Sequence, residues 1–133
     1  MNNNKLIIKI HRSSSDIFSF LTNPQNTPLW IDSIVAEETS EWPVKLGTIY
    51  KNRGADCAWS EYEITSWEPN KSFVLSERGG TYHVRYTFTP FVDSSTDVEY
   101  YEWVDKGDLP EPYTIDVLQK LKTVLEKPYT NIA

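Results

Sequence analysis

The sequence predicts an α+β domain: an antiparallel sheet of about seven strands packed against one amphipathic helix near the C-terminus. Three observations predict it. Between residues 35 and 105 short alternating segments follow one another, separated by Gly, Pro, Asn and Asp turns. After residue 112 the apolar period changes from two to that of a helix. Before residue 35 a strand is followed by two short helices. At 133 residues the chain has the length of a single domain, 1–133, with a substantial core.

Lys5 to His11 is an isoleucine-rich run with the length of a strand. Ser13-Ser14-Ser15-Asp16 follows, and any of the three serines can cap a helix that begins near Asp16. Ile17, Phe18 and Leu21 form its apolar face, and Asn23-Pro24 ends it, because the residue before a proline is driven out of the α region. Proline also suits the first turn of a second helix, which carries Trp30.

Strands are then expected over Val35 to Glu41, Thr48 to Arg53, Cys57 to Trp67, Phe73 to Arg78, Tyr82 to Pro90 and Asp97 to Asp105. Gly79-Gly80 reads as a two-residue hairpin turn. The last element, Pro112 to Lys127, carries Ile115, Leu118, Leu121 and Leu125 on one stripe and is stopped by Pro128. A helix of that length is marginal alone and needs an apolar surface to lie on.

The first third of the chain resembles the START-like superfamily, also called SRPBCC, and within it the polyketide cyclase/dehydrase-type ligand-binding domains. The residues that carry the resemblance are Ile8 and Ile10, Ser13 to Asp16, Ile17-Phe18, Asn23-Pro24 and Trp30, with Glu63 to Leu75 and Gly79-Gly80 extending it downstream. The resemblance implies a helix-grip fold, with a curved sheet wrapped around a long C-terminal helix, two short helices plugging one end, and a pocket between. Such a scaffold serves binders, carriers and enzymes alike, so it implies architecture more firmly than chemistry.

Charge and composition narrow the partners. A formal charge of −6 and a pI near 4.9 argue against nucleic acid and anionic membrane surfaces, both of which select a basic face. Met1 to Asn4 is polar and Lys5 to Ile10 is too short for a signal-peptide core or a membrane span, so a cytoplasmic location without stable membrane insertion is expected. The lone Cys57 reads as a small, half-buried strand residue. Two histidines far apart, without a zinc-type spacing, give no metal site. Nucleophile elbows, dinucleotide fingerprints and phosphate-binding loops do not occur, so no cofactor is expected.

Five Trp and eight Tyr make the aromatic load the main functional clue, since aromatic walls with a few polar handles line small-molecule sites. Alternation sends Tyr82, Val84, Tyr86 and Phe88 inward, together with Val98, Tyr100, Glu102 and Val104 on the last strand. Ser60, Tyr62 and Ile64 face the same way, and a bulge near Thr65-Ser66 would return Trp67 to that side. The expected ligand contacts are therefore Trp30, Tyr62, Trp67, Tyr82, Tyr86, Tyr100 and Leu118. The same aromatics also suit a plain core.

Glu102 is the candidate catalytic residue, because burying a carboxyl group disfavours its charged form and suits it to proton transfer beside tyrosine hydroxyls. A strand displaced by one residue would instead leave it in solvent. Glu61 and Glu63 against His83 and Arg85 read as cross-strand charge pairs on the outer face, and His83 becomes a base only if the faces are reversed. The favoured function is binding or transport of a small hydrophobic or aromatic molecule, such as a lipid, a polyketide-like compound or an aromatic metabolite, by a monomer or homodimer. The alternatives are a cyclase or dehydratase and, like some members of the superfamily, an activator of a chaperone ATPase.

Overall fold

The computed structural model describes residues 1–127, so the expected helix stop at Pro128 lies outside the described residues. In chain order the elements are β1 (Asn3–Ile10), α1 (Ser14–Thr22), a single 3-10 turn (Pro24–Asn26), α2 (Thr27–Trp30), β2 (Ala36–Thr39), β3 (Ile49–Arg53), β4 (Trp59–Glu68), β5 (Ser72–Glu77), β6 (Tyr82–Pro90), β7 (Thr96–Val104) and α3 (Ile115–Leu125). The seven strands form one antiparallel sheet in the order β1-β7-β6-β5-β4-β3-β2. The helical excursion after β1 carries the chain to the far edge, from which β2 to β7 return as a meander. The sheet is open and curved, and α3 packs on its inner side in the helix-grip arrangement.

Local chemistry explains the N-terminal turn of events. Ser13 is the serine that caps α1: its backbone is extended and its Oγ accepts from the Asp16 amide at 3.1 Å. Asn23 then ends α1 and caps the 3-10 turn, accepting from the Gln25 amide at 3.0 Å. Pro28 lies in the first turn of α2, where its missing N–H costs nothing.

Below these helices lies the core. Ile10, Ile17, Val98, Leu118 and Leu121 are fully buried. Phe18 meets Trp67, Phe73 and Phe88 with ring centroids 5.0, 5.7 and 6.0 Å away. Trp67 reaches this cluster because the β4–β5 register shifts between Ile64 and Ser66, the expected bulge, which sets Trp67 opposite Phe73.

Four expectations need correction. The helix α3 starts at Ile115, because Glu102 holds the Tyr113 amide and Asn4 holds the Tyr113 carbonyl, which keeps Thr114 extended. Cys57 precedes β4: it is exposed, in a turn closed by its own amide on the Gly54 carbonyl, and has a φ of 67°. The β5–β6 connection spans residues 78–81 with only Gly79 of its two glycines at positive φ, 77°, so it is longer than a two-residue hairpin.

The fourth correction concerns charge. Strand β5 lies between β4 and β6, so Glu61 and Glu63 are not neighbours of His83 and Arg85. Glu61 pairs with Arg78 at 3.0 Å, His83 with Asp105 at 2.9 Å and Arg85 with Glu99 at 3.3 Å. The outer face also carries a stacked ladder, with His83 against Trp103 (4.8 Å) and Trp103 against Tyr101 (5.3 Å). Among the described residues no helix is long and apolar enough to cross a membrane.

Candidate functional site

Between the inner sheet face and the helices lies a cavity of about 380 Å³. Its floor comes from alternate residues of neighbouring strands, which share a face because the side-chain period of a strand is two. Tyr62 on β4, Phe73 and Leu75 on β5, Tyr82, Val84 and Tyr86 on β6 and Tyr100 on β7 all reach it. Trp30, Ile31 and Ile34 form the opposite wall, and Tyr113 enters from the segment before α3. Trp30 is buried, with its ring edge-to-face to Tyr86 at 6.5 Å and 75°. Tyr113 lies flat on Tyr100, 5.2 Å away at 6°.

At the β7 end the polar groups form one closed network. Glu102 is 1% exposed and its carboxyl oxygens are met by four donors. Oε1 accepts from the Tyr82 hydroxyl at 2.6 Å and lies 3.3 Å from that of Tyr100. Oε2 accepts from Asn4 Nδ2 at 2.9 Å and from the Tyr113 amide at 2.8 Å. The two tyrosine hydroxyls are 3.2 Å apart. Burial, followed by the hydrogen bond to Glu102, pushes the Tyr82 hydroxyl far above its ordinary value of 10.0. Burial does the same for Tyr100 and Tyr86, and raises Tyr113 to about 12.

The other end is built around Glu37. Its partner across the β2–β3 pair is Asn52, which donates to Oε2 at 3.1 Å, while Thr27 from α2 donates its hydroxyl to Oε1 at 2.5 Å. Burial raises the Glu37 carboxyl above its ordinary value of 4.5, against the lowering effect of those two hydrogen bonds. Tyr50, beside it on β3, is buried with its hydroxyl on the Thr22 carbonyl at 2.5 Å.

Of the residues singled out from sequence, Trp30, Tyr62, Tyr82, Tyr86 and Tyr100 come together on this wall. Trp67 and Leu118 lie outside it, in the core. Glu102 sits behind the tyrosine hydroxyls rather than on the wall itself. His83 faces outward, with Nδ1 on Ser76 at 2.8 Å and Nε2 on Asp105 at 2.9 Å, so both ring nitrogens are occupied. Sequence reasoning missed Glu37, Asn52, Tyr50, Asn4 and Tyr113. The alternation of Tyr50 and Asn52 is a signal for β3, whereas Asn4 and Tyr113 meet only through contacts more than a hundred residues apart.

No family model matches the sequence, and no curated protein matches it. Solved structures of similar shape do exist. A START superfamily protein from Mycobacterium smegmatis superposes with a TM-score of 0.70 at 12% identity, over 95% of this chain and 98% of its own. The Aha1 dimer from Colwellia psychrerythraea gives 0.67 at 20% identity, over 95% and 97%. A conserved protein of unknown function from Enterococcus faecalis gives 0.73 at 17% identity, over 97% of this chain and 74% of its own. The fold of this chain is START-like.

Proposed function

We propose that this protein binds a small, largely apolar molecule in the cavity between sheet and helices. The observation that carries the reading is the wall itself: about 380 Å³, within the size range of small-molecule sites, faced by Trp30, Tyr62, Tyr82, Tyr86, Tyr100 and Tyr113. These six are the ligand contacts, and the volume suits an aromatic metabolite or a short acyl chain. Trp67 and Leu118 support the wall from the core behind it.

Binding is favoured over catalysis by the state of Glu102. Both carboxyl oxygens of Glu102 are taken up by Tyr82, Asn4 and the Tyr113 amide, with the Tyr100 hydroxyl 3.3 Å away. A general base needs a free lone pair aimed at the substrate. Glu102 is therefore a positioning residue that orients the hydroxyls of Tyr82 and Tyr100.

Native mass spectrometry of protein purified from its own host tests the proposal. A small molecule should co-purify, and Nile red, a neutral apolar dye, should displace it with a rise in fluorescence. Protein that carries nothing and gives no dye signal would sink the reading.

A further inference from the structure

The wall is one-sided in its chemistry: it offers acceptors and negative charge, and hardly any cation. Tyr82 gives its proton to Glu102 Oε1, and the single proton of Tyr100 goes to the same oxygen or to Tyr82. Both phenolic oxygens consequently offer lone pairs rather than protons to the cavity. At the opposite end each Glu37 oxygen is met by one donor, Thr27 or Asn52, which leaves acceptor capacity on both. Among the described residues no lysine, arginine or histidine forms an ion pair with Glu37. Its charge is felt across the space, where it raises the hydroxyls of Tyr62, Tyr86 and Tyr113 in addition to their burial.

The one cationic residue on the described wall is Arg53. Its guanidinium is turned to the outer side, 5.6 Å over the Trp59 ring and with Nη1 3.8 Å from Cys57 Sγ. Asp56 adds another acid to the same wall. The aromatic faces complete the pattern, because the face of an aromatic ring is its negative side and attracts cations.

We propose that the ligand of this cavity carries a protonated amine on an apolar, aromatic-sized body, with the ammonium group against Glu37 and the body among Trp30, Tyr62 and Tyr86. This rests on the cavity being a ligand site. An ammonium group supplies the charge partner that Glu37 lacks, and its N–H groups meet the spare lone pairs of that carboxyl. A carboxylate or phosphate in the same place would face the like charge of Glu37 with no cation paired to either.

Three probes of one shape test the inference: tryptamine, the alcohol tryptophol and indolepropionate, titrated by isothermal calorimetry and ligand-observed NMR. Tryptamine should bind about tenfold or more tightly than indolepropionate, the ratio expected when a charged hydrogen bond replaces a like-charge contact. In Glu37→Gln the advantage of tryptamine over tryptophol should vanish. Equal binding of all three, or tighter binding of indolepropionate, overturns the amine assignment and leaves the cavity a ligand site. Binding of none overturns both. The wild-type ratio decides the matter even if the variant does not fold.

Discussion

The Tyr82 hydroxyl donates to Glu102 Oε1 at 2.6 Å, joining the cavity wall to a carboxyl group that is 1% exposed. The same carboxyl holds Asn4 of the edge strand and the Tyr113 amide ahead of α3. One side chain thereby ties β1, β6, β7 and the approach to α3 together, so its first role is structural.

Glu102→Gln follows from that relationship. Replacing one oxygen by an amide either sets N–H groups against the Asn4 and Tyr113 donors or forces the Tyr82 hydroxyl to accept, which takes its proton away from the buried carboxyl position. Leaving a buried polar group unpaired costs about 1–3 kcal/mol, so urea unfolding should shift by that amount. Tyr82→Phe removes a donor from the same buried carboxyl group and should cost about 1–3 kcal/mol. A Glu102→Gln variant as stable as wild type would remove Glu102 from this structural role.

Leu118 and Tyr62 separate core from wall. Leu118 is fully buried, so Leu118→Ala should destabilise by about 2–5 kcal/mol, while the folded fraction binds Nile red as wild type does. Tyr62→Ala removes half-buried wall and should weaken dye binding severalfold at a smaller loss of stability. Loss of dye affinity in folded Leu118→Ala protein would place the ligand elsewhere.

The pH dependence of Glu37 has a definite sign. Its carboxyl is raised in the folded state, so the folded protein binds the proton more tightly than the unfolded chain. Its stability contribution is complete below the unfolded value of 4.5 and is lost as pH rises through the higher folded value. Urea unfolding at stepped pH should show Glu37→Gln gaining on wild type as pH rises through that window toward neutrality. A constant difference from pH 4.5 upward would contradict it.

Alkaline titration reads the tyrosines. Of eight in the chain, Tyr50, Tyr62, Tyr82, Tyr86, Tyr100 and Tyr113 are all raised above 10.0, with burial the first cause. Phenolate absorbance should therefore lag in the native protein and rise cooperatively with unfolding, above pH 10.0 and through the region of about 12 where Tyr113 titrates. Stability from these groups is complete below 10.0 and lost above it. Smooth ionisation of most tyrosines near pH 10.0 in folded protein would show that the wall is open to water.

What the sequence determined by itself is what depends on neighbours along the chain. The Ser13 to Asp16 cap, the break at Asn23-Pro24, the inward faces of β6 and β7 and the bulge before Trp67 all follow from local periodicity and backbone sterics, and the structure contains each of them. Period-two alternation states which side of a strand a residue is on, but not what lies opposite. Tertiary structure alone decided that Trp67 and Leu118 are core while Tyr113 is wall, and that Glu61 meets Arg78. It also decided that the inward Glu102 is enclosed by Asn4 and Tyr113, whereas Glu37, with Thr27 and Asn52, borders the cavity. Those partners come from elements far apart in sequence, and it is their meeting that turns a shared face into a site.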